Sequence, residues 1–176
     1  MRLCRSTACL ALVLAACGTA SAQDHGRVGI TMAFPTSIGA IFHATDKVAI
    51  RPEFTFTQSS TDSSPVEATT WSVGTGVSAL FYLSSRDRVQ TYVAPRFSYA
   101  HADTSIAGGI VSDNTSDSTG FSGSFGAEYS PSARFSVYGE AGIAYTQLTS
   151  KSQVSGIETK NHTWATRGGV GIIFYP

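Results

Sequence analysis

Trp71-Ser72-Val73-Gly74-Thr75-Gly76-Val77-Ser78-Ala79-Leu80-Phe81-Tyr82-Leu83 alternates with period two from end to end. Trp71, Val73, Thr75, Val77, Ala79, Phe81 and Leu83 fall on one face, and Ser72, Gly74, Gly76, Ser78, Leu80 and Tyr82 on the other. That period sends successive side chains to opposite sides of an extended chain, so the segment is a strand. Aromatic residues at both ends of the apolar face, with small residues opposite, are the pattern of a strand that crosses lipid between two aromatic girdles.

The same pattern recurs on both sides of this segment. In 48–57 one face holds Val48, Ile50, Pro52, Phe54 and Phe56, and in 89–100 it holds Val89, Val93, Pro95, Phe97 and Tyr99. Segments 121–129, 135–148 and 164–175 repeat it. Two weaker strands, 28–34 and 38–45, are split by Pro35-Thr36, which brings the expected number to eight. Connections 46–47, 84–88 and 130–134 are short, whereas 59–68, 103–117 and 150–161 are long and rich in Ser, Thr, Asp and Asn. Short turns at one end and long polar loops at the other are the habit of outer-membrane barrels, with only the first hairpin short on the outer side. A weak echo links Ala49-Ile50-Arg51-Pro52-Glu53-Phe54 with Tyr92-Val93-Ala94-Pro95-Arg96-Phe97. Both prolines sit in mid-strand, where the missing N–H argues against a central strand, although a barrel could accommodate each at a bulge.

The N-terminus carries a separate signal. Arg2 and Arg5 precede an apolar stretch, 8–16, that is too short to span a bilayer as a helix and reads as an export signal. Ala20-Ser21-Ala22 supplies the small side chains that signal peptidase requires, placing cleavage between Ala22 and Gln23. Leu14-Ala15-Ala16-Cys17 resembles a lipobox and offers a competing site, with Cys17 lipidated. The expected organisation is a signal peptide over 1–22 and one barrel domain over 23–176. Losing Arg2 and Arg5 takes Lys+Arg from 12 to 10 against 12 Asp+Glu, so the mature chain is near neutral and offers no basic field for nucleic acid. No later segment has some twenty consecutive apolar residues, which leaves a closed barrel as the route into a membrane.

The inward face of each strand places Arg51, Glu53, Arg96, Glu128, Glu140 and Arg167 in the lumen. A barrel of eight strands is barely wide enough for side chains to fill, and isolated buried ions cost several kcal/mol, so these charges are expected to pair and plug the lumen. A gated narrow pore, in which the pairs exchange partners, is the alternative. The outward aromatic residues Trp71, Phe81, Tyr99, Tyr129, Trp164 and Phe174 are the expected girdle.

Chemistry-bearing residues are sparse. His25, His43, His101 and His162 show no metal-ligand spacing, and no thiol remains once Cys17 is removed, so neither a metal nor another cofactor is expected. His101, Asp103 and Ser105 alternate onto one face near an outer strand end, where a hydrolytic set would have to lie. The long loops add Asp62, Glu67, Asp113 and Asp117, which suit solvated loops or a surface for an extracellular ligand. Asn114-Thr115-Ser116 and Asn161-His162-Thr163 match glycosylation sequons and are read as chance in a bacterial exported chain.

The alternation, the loop asymmetry and the final segment Gly168-Gly169-Val170-Gly171-Ile172-Ile173-Phe174-Tyr175-Pro176 resemble the small eight-stranded outer-membrane barrels typified by the OmpA membrane domain and OmpX. The resemblance implies an all-β fold, an eight-stranded antiparallel transmembrane barrel in an up-and-down meander. It also implies outer-membrane lipid and lipopolysaccharide as surroundings, and the barrel-assembly machinery as a partner during biogenesis. Pro176 after the aromatic pair departs from that family's terminal aromatic. The lack of the His-x-Ser element of the lipid A deacylases at His101-Ala102-Asp103 argues for no enzyme, and the polar loops and filled lumen favour a structural or surface-interaction role. A soluble barrel carrier would turn its apolar face inward, and its outer surface would need more charge than the 14% of Asp, Glu, Lys and Arg available.

Overall fold

Period-two alternation becomes eight antiparallel strands in the computed structural model, which describes residues 28–35, 37–63, 66–107, 112–152 and 156–176. They are β1 (Val28–Phe34), β2 (Ser37–Thr45), β3 (Val48–Ser63), β4 (Val66–Arg86), β5 (Val89–Ala107), β6 (Ser112–Ser132), β7 (Phe135–Ser152) and β8 (Glu158–Phe174). Each pairs with the next, and β8 closes on β1 through Ile30↔Phe174 to Phe34↔Val170. The cleavage site at Ala22 and Gln23, the cysteines and His25 lie outside the described residues.

The bulky apolar face points outward. Phe34, Ile38, Phe54, Trp71, Phe81, Phe121, Ile143, Trp164 and Phe174 are all exposed. This excludes the soluble-carrier arrangement, since water-facing strands would bury this face. Ten residues separate Trp71 from Phe81 on β4, and ten separate Trp164 from Phe174 on β8. At about 2.5 Å of height per tilted residue, each pair stands about 25 Å apart, the height of the apolar band of an outer-membrane barrel. Tyr99 joins the upper ring and Tyr129 the lower, both exposed.

Strand length departs from the sequence expectation. Most of the residues expected in long loops continue the strands instead: β3 runs to Ser63, β4 starts at Val66, β6 starts at Ser112 and β8 starts at Glu158. Above the girdle both faces meet water, so the apolar alternation vanishes although the chain stays extended. Thr and Ser suit such ribbons, since they favour extended backbone and pair across strands. Thr70 and Thr104 meet at 3.0 Å between their hydroxyls, as do Ser116 and Ser150. Asp62 is exposed on one ribbon, while the side chains of Glu67 and Asp113 fall outside the description.

The mid-strand prolines are accommodated by local breaks in pairing. Pro52 pairs with Val77 on β4, while the β2–β3 ladder passes from Gly39↔Glu53 to Phe42↔Ile50. Pro95 pairs with Gly123 on β6, and the β4–β5 ladder passes from Ser78↔Arg96 to Phe81↔Val93. Each proline therefore meets a gap on one side, where its absent N–H removes no ladder bond.

Candidate functional site

The lumen is layered. Its lower third is a plug of Ile41, Leu80, Tyr92, Tyr138, Ile173 and Tyr175, all buried. Inward glycines make room for the rings. A Cβ at Gly126 would lie 2.5 Å from the Tyr92 ring, and one at Gly171 would lie 2.5 Å from that of Tyr138. His43 stacks on Tyr82 at 5.7 Å, and its Nε2 lies 3.0 Å from Tyr175 Oη.

The charged layer lies on top of the plug. Arg51 bonds to Glu140 and lies 3.7 Å from Glu53, and Arg96 bonds to Glu53. Four of the six residues expected in the lumen thus form one chain, Arg96–Glu53–Arg51–Glu140. Tyr92 Oη donates to Glu140 at 2.9 Å, and Arg51 lies over the Tyr138 ring at 4.6 Å. Gly76 is what lets Arg96 lie flat on the wall, since a Cβ there would meet Arg96 Nη2 at 2.6 Å.

The other two expected members are placed differently. Glu128 is buried in the plug and has tyrosine donors instead of a cation: Tyr82 Oη at 3.0 Å and Tyr175 Oη at 3.5 Å. Arg167 is half-buried on β8 and forms no ion pair among the described residues. Pairing by charge sign overlooked phenolic hydroxyls as partners. Their signal was in the sequence, because Tyr82, Tyr92 and Tyr138 occupy the inward register of their strands.

At the upper girdle, outward-facing His101 donates through Nδ1 to Asp117 Oδ1 at 2.7 Å, and its Nε2 lies 3.4 Å from Asp103 Oδ1. Both ring nitrogens are therefore occupied by carboxylates, and neither is left to take a proton from Ser105. The hydrolytic set His101, Asp103 and Ser105 is not assembled. Trp71 packs edge-on to the His101 ring at 5.9 Å, and Tyr99 Oη donates to Asp117 at 2.7 Å. His162 similarly stacks on Tyr145, with Nδ1 2.8 Å from Tyr145 Oη. Among the described residues no group of His, Cys, Asp and Glu is placed to hold a metal ion.

The hydrogen bond to Asp117 holds the His101 pKa above 6.5, and Asp103 adds to it. A histidine raised on folding stabilises the folded state below its unfolded pKa and loses that contribution as pH rises through the folded value. An NMR titration of the ring protons is expected to give a midpoint above 6.5, and Asp117→Asn is expected to move it back down. A midpoint unaffected by that substitution would show that Asp117 does not hold the proton.

Comparison with known families supports the membrane reading directly, since the sequence matches the outer membrane protein beta-barrel domain over residues 7–175. The chain belongs to that family. As a member of the outer-membrane barrel family it is a protein of the bacterial outer membrane, with the apolar band and girdles that such a location requires. Among solved structures it is similar to a major outer membrane protein from Thermus thermophilus. That match has a TM-score of 0.53 at 10% identity and covers 84% of this chain and 97% of that one. It is also similar to Neisserial surface protein A, with a TM-score of 0.50 at 16% identity, covering 85% and 93%. At these identities the likeness shows the fold alone. No curated protein matches the sequence significantly.

Proposed function

We propose that this outer-membrane barrel is a closed, non-conducting body that serves a structural or surface-interaction role through the strands it raises above the membrane. The observation that carries the reading is the plug. Ile41, Leu80 and Tyr92 are fully buried, and Tyr138, Ile173 and Tyr175 nearly so, across the lower lumen of a barrel with no spare width. The charged chain above them adds a second barrier. What remains accessible is the polar pair surface of β3–β4, β5–β6 and β7–β8 above the girdle, dominated by Ser, Thr and Asp. An extended, polar surface of this kind suits contact with an extracellular ligand.

The test is a planar lipid bilayer recording of the purified, refolded protein. No conductance steps are expected for the wild type under applied voltage. Reproducible steps would overturn the closed-lumen reading and favour the narrow pore.

A further inference from the structure

The barrel wall is incomplete on one side. β1 and β2 are only 7 and 9 residues long, with upper ends at Phe34 and Ser37, whereas β3 and β8 continue for many residues above them. β3 has no β2 partner above Phe54, and β8 has no β1 partner above Val170. Among the described residues no ladder joins β3 to β8 over the gap. The burial of β8 records the same opening: residues alternate between covered and exposed only from Arg167 to Phe174, and everything from Glu158 to Thr166 is exposed.

The gap lies within the membrane. Six residues separate Val170 from Trp164 in the upper girdle, so the hairpin tip lies about 15 Å below that girdle, near the middle of the apolar band. Unpaired strand edges are not tolerated against hydrocarbon and persist at such depth only where they line a polar or wet cavity. Behind the gap is such a cavity. A recess of about 400 Å³ runs from Phe34, Pro35, Thr166 and Arg167 at the mouth to Arg51 and Glu140 inside.

Its chemistry is that of an anion site. Arg51, Arg96 and Arg167 face Glu53 and Glu140, an excess of one positive charge. Arg51 is 1% exposed, yet its Nη1 and Nε make no hydrogen bond, and neither does the buried Tyr138 Oη. Both side chains line the recess. The lip outside is apolar, with Phe34 71%, Ile38 60% and Val170 56% exposed. A single negative charge inside and a hydrocarbon chain leaving sideways into the bilayer match both halves.

We infer that the gap between β3 and β8 is a lateral mouth that takes the carboxylate head of a single-chain amphiphile, such as a long-chain fatty acid, from the membrane to Arg167, Arg51 and Tyr138. Its acyl chain lies across Phe34 and Ile38. One carboxylate balances the excess charge, and its two oxygens accept from donors that have no hydrogen-bond partner within the protein. The inference does not depend on the closed floor, because the mouth opens above the plug.

The test uses the full barrel in phosphatidylcholine nanodiscs, in a Trp71→Phe background that leaves Trp164 as the sole tryptophan. Quenching of Trp164 by 5-doxylstearate is expected to saturate, with the methyl ester about tenfold weaker because it lacks the charge that forms the strong hydrogen bonds. Arg167→Gln is expected to weaken the acid by a similar factor. Gly169→Phe keeps every charge but fills the recess, since a Cβ there has only ordinary contact, 3.6 Å from the Phe34 carbonyl oxygen. It is expected to abolish saturation, with folding of each variant checked by its gel mobility before and after boiling. Equal quenching by acid and ester, unchanged by Gly169→Phe, would reduce the contact to ordinary surrounding lipid and overturn the inference. Displacement of the probe by phosphatidylglycerol at equal concentration would assign the mouth to a phospholipid headgroup and overturn the choice of a fatty acid.

Discussion

Glu140→Ala is expected to lower the stability of the folded barrel by about 3–5 kcal/mol, the usual cost of removing one partner of a buried ion pair. Glu140 is the principal counter-charge of Arg51, whose side chain is 1% exposed, and it also accepts from Tyr92 Oη and from Ser124 Oγ at 3.4 Å. Without it, Arg51 retains only Glu53 at 3.7 Å, and Glu53 is already bonded to Arg96. Tyr138 lies against the guanidinium at 4.6 Å and buried apolar side chains lie beneath it. Urea unfolding in detergent micelles, followed by gel mobility, measures the loss. Replacing both partners, Arg51→Met with Glu140→Leu, is expected to recover most of it, since paired removal strands no charge. An unchanged midpoint for Glu140→Ala would mean that water already solvates Arg51.

Tyr92→Ala is expected to cost a comparable amount, about 3–5 kcal/mol for truncating a large buried aromatic side chain, and to change conduction as well. Tyr92 is fully buried, covers Gly126 and meets the edge of Tyr82 at 5.6 Å. Its loss opens a void beside a buried glycine, which has no side chain to fill it. Bilayer recordings are expected to show steps that the wild type lacks. Tyr92→Phe removes one hydrogen bond to the Glu140 carboxylate, is expected to cost about 1.5–3 kcal/mol, and should stay closed. A silent Tyr92→Ala with normal stability would show that the ring is not part of the seal.

Much of the architecture was legible because the bilayer imposes a simple rule. Only the outward face of a membrane strand must be apolar, so Trp71, Val73, Val77 and Phe81 declare their side without knowledge of any partner. The rule stops at the girdle. The strand continuations 59–63 with 66–70 and 104–106 with 112–114 carry no apolar alternation and read as loops, although their backbones remain paired.

The lumen was legible by membership and not by contact. Inward register identified Arg51, Glu53, Arg96, Glu128, Glu140 and Arg167, but their heights depend on the stagger between neighbouring strands. That stagger sets Arg96 and Arg51 beside Glu53, lowers Glu128 to the tyrosines, and leaves Arg167 at the mouth of the recess.

The sequence by itself determined eight strands, their order, the face each turns to lipid and the class of residue inside, because period two and a fixed apolar thickness are local properties of the chain. Only the tertiary structure decided which charges meet, which rings fill the lower lumen, and that a short first hairpin leaves one edge of β3 and of β8 unpaired at membrane depth. Those outcomes depend on register and closure, which bring together residues far apart in sequence, such as Arg51 and Glu140.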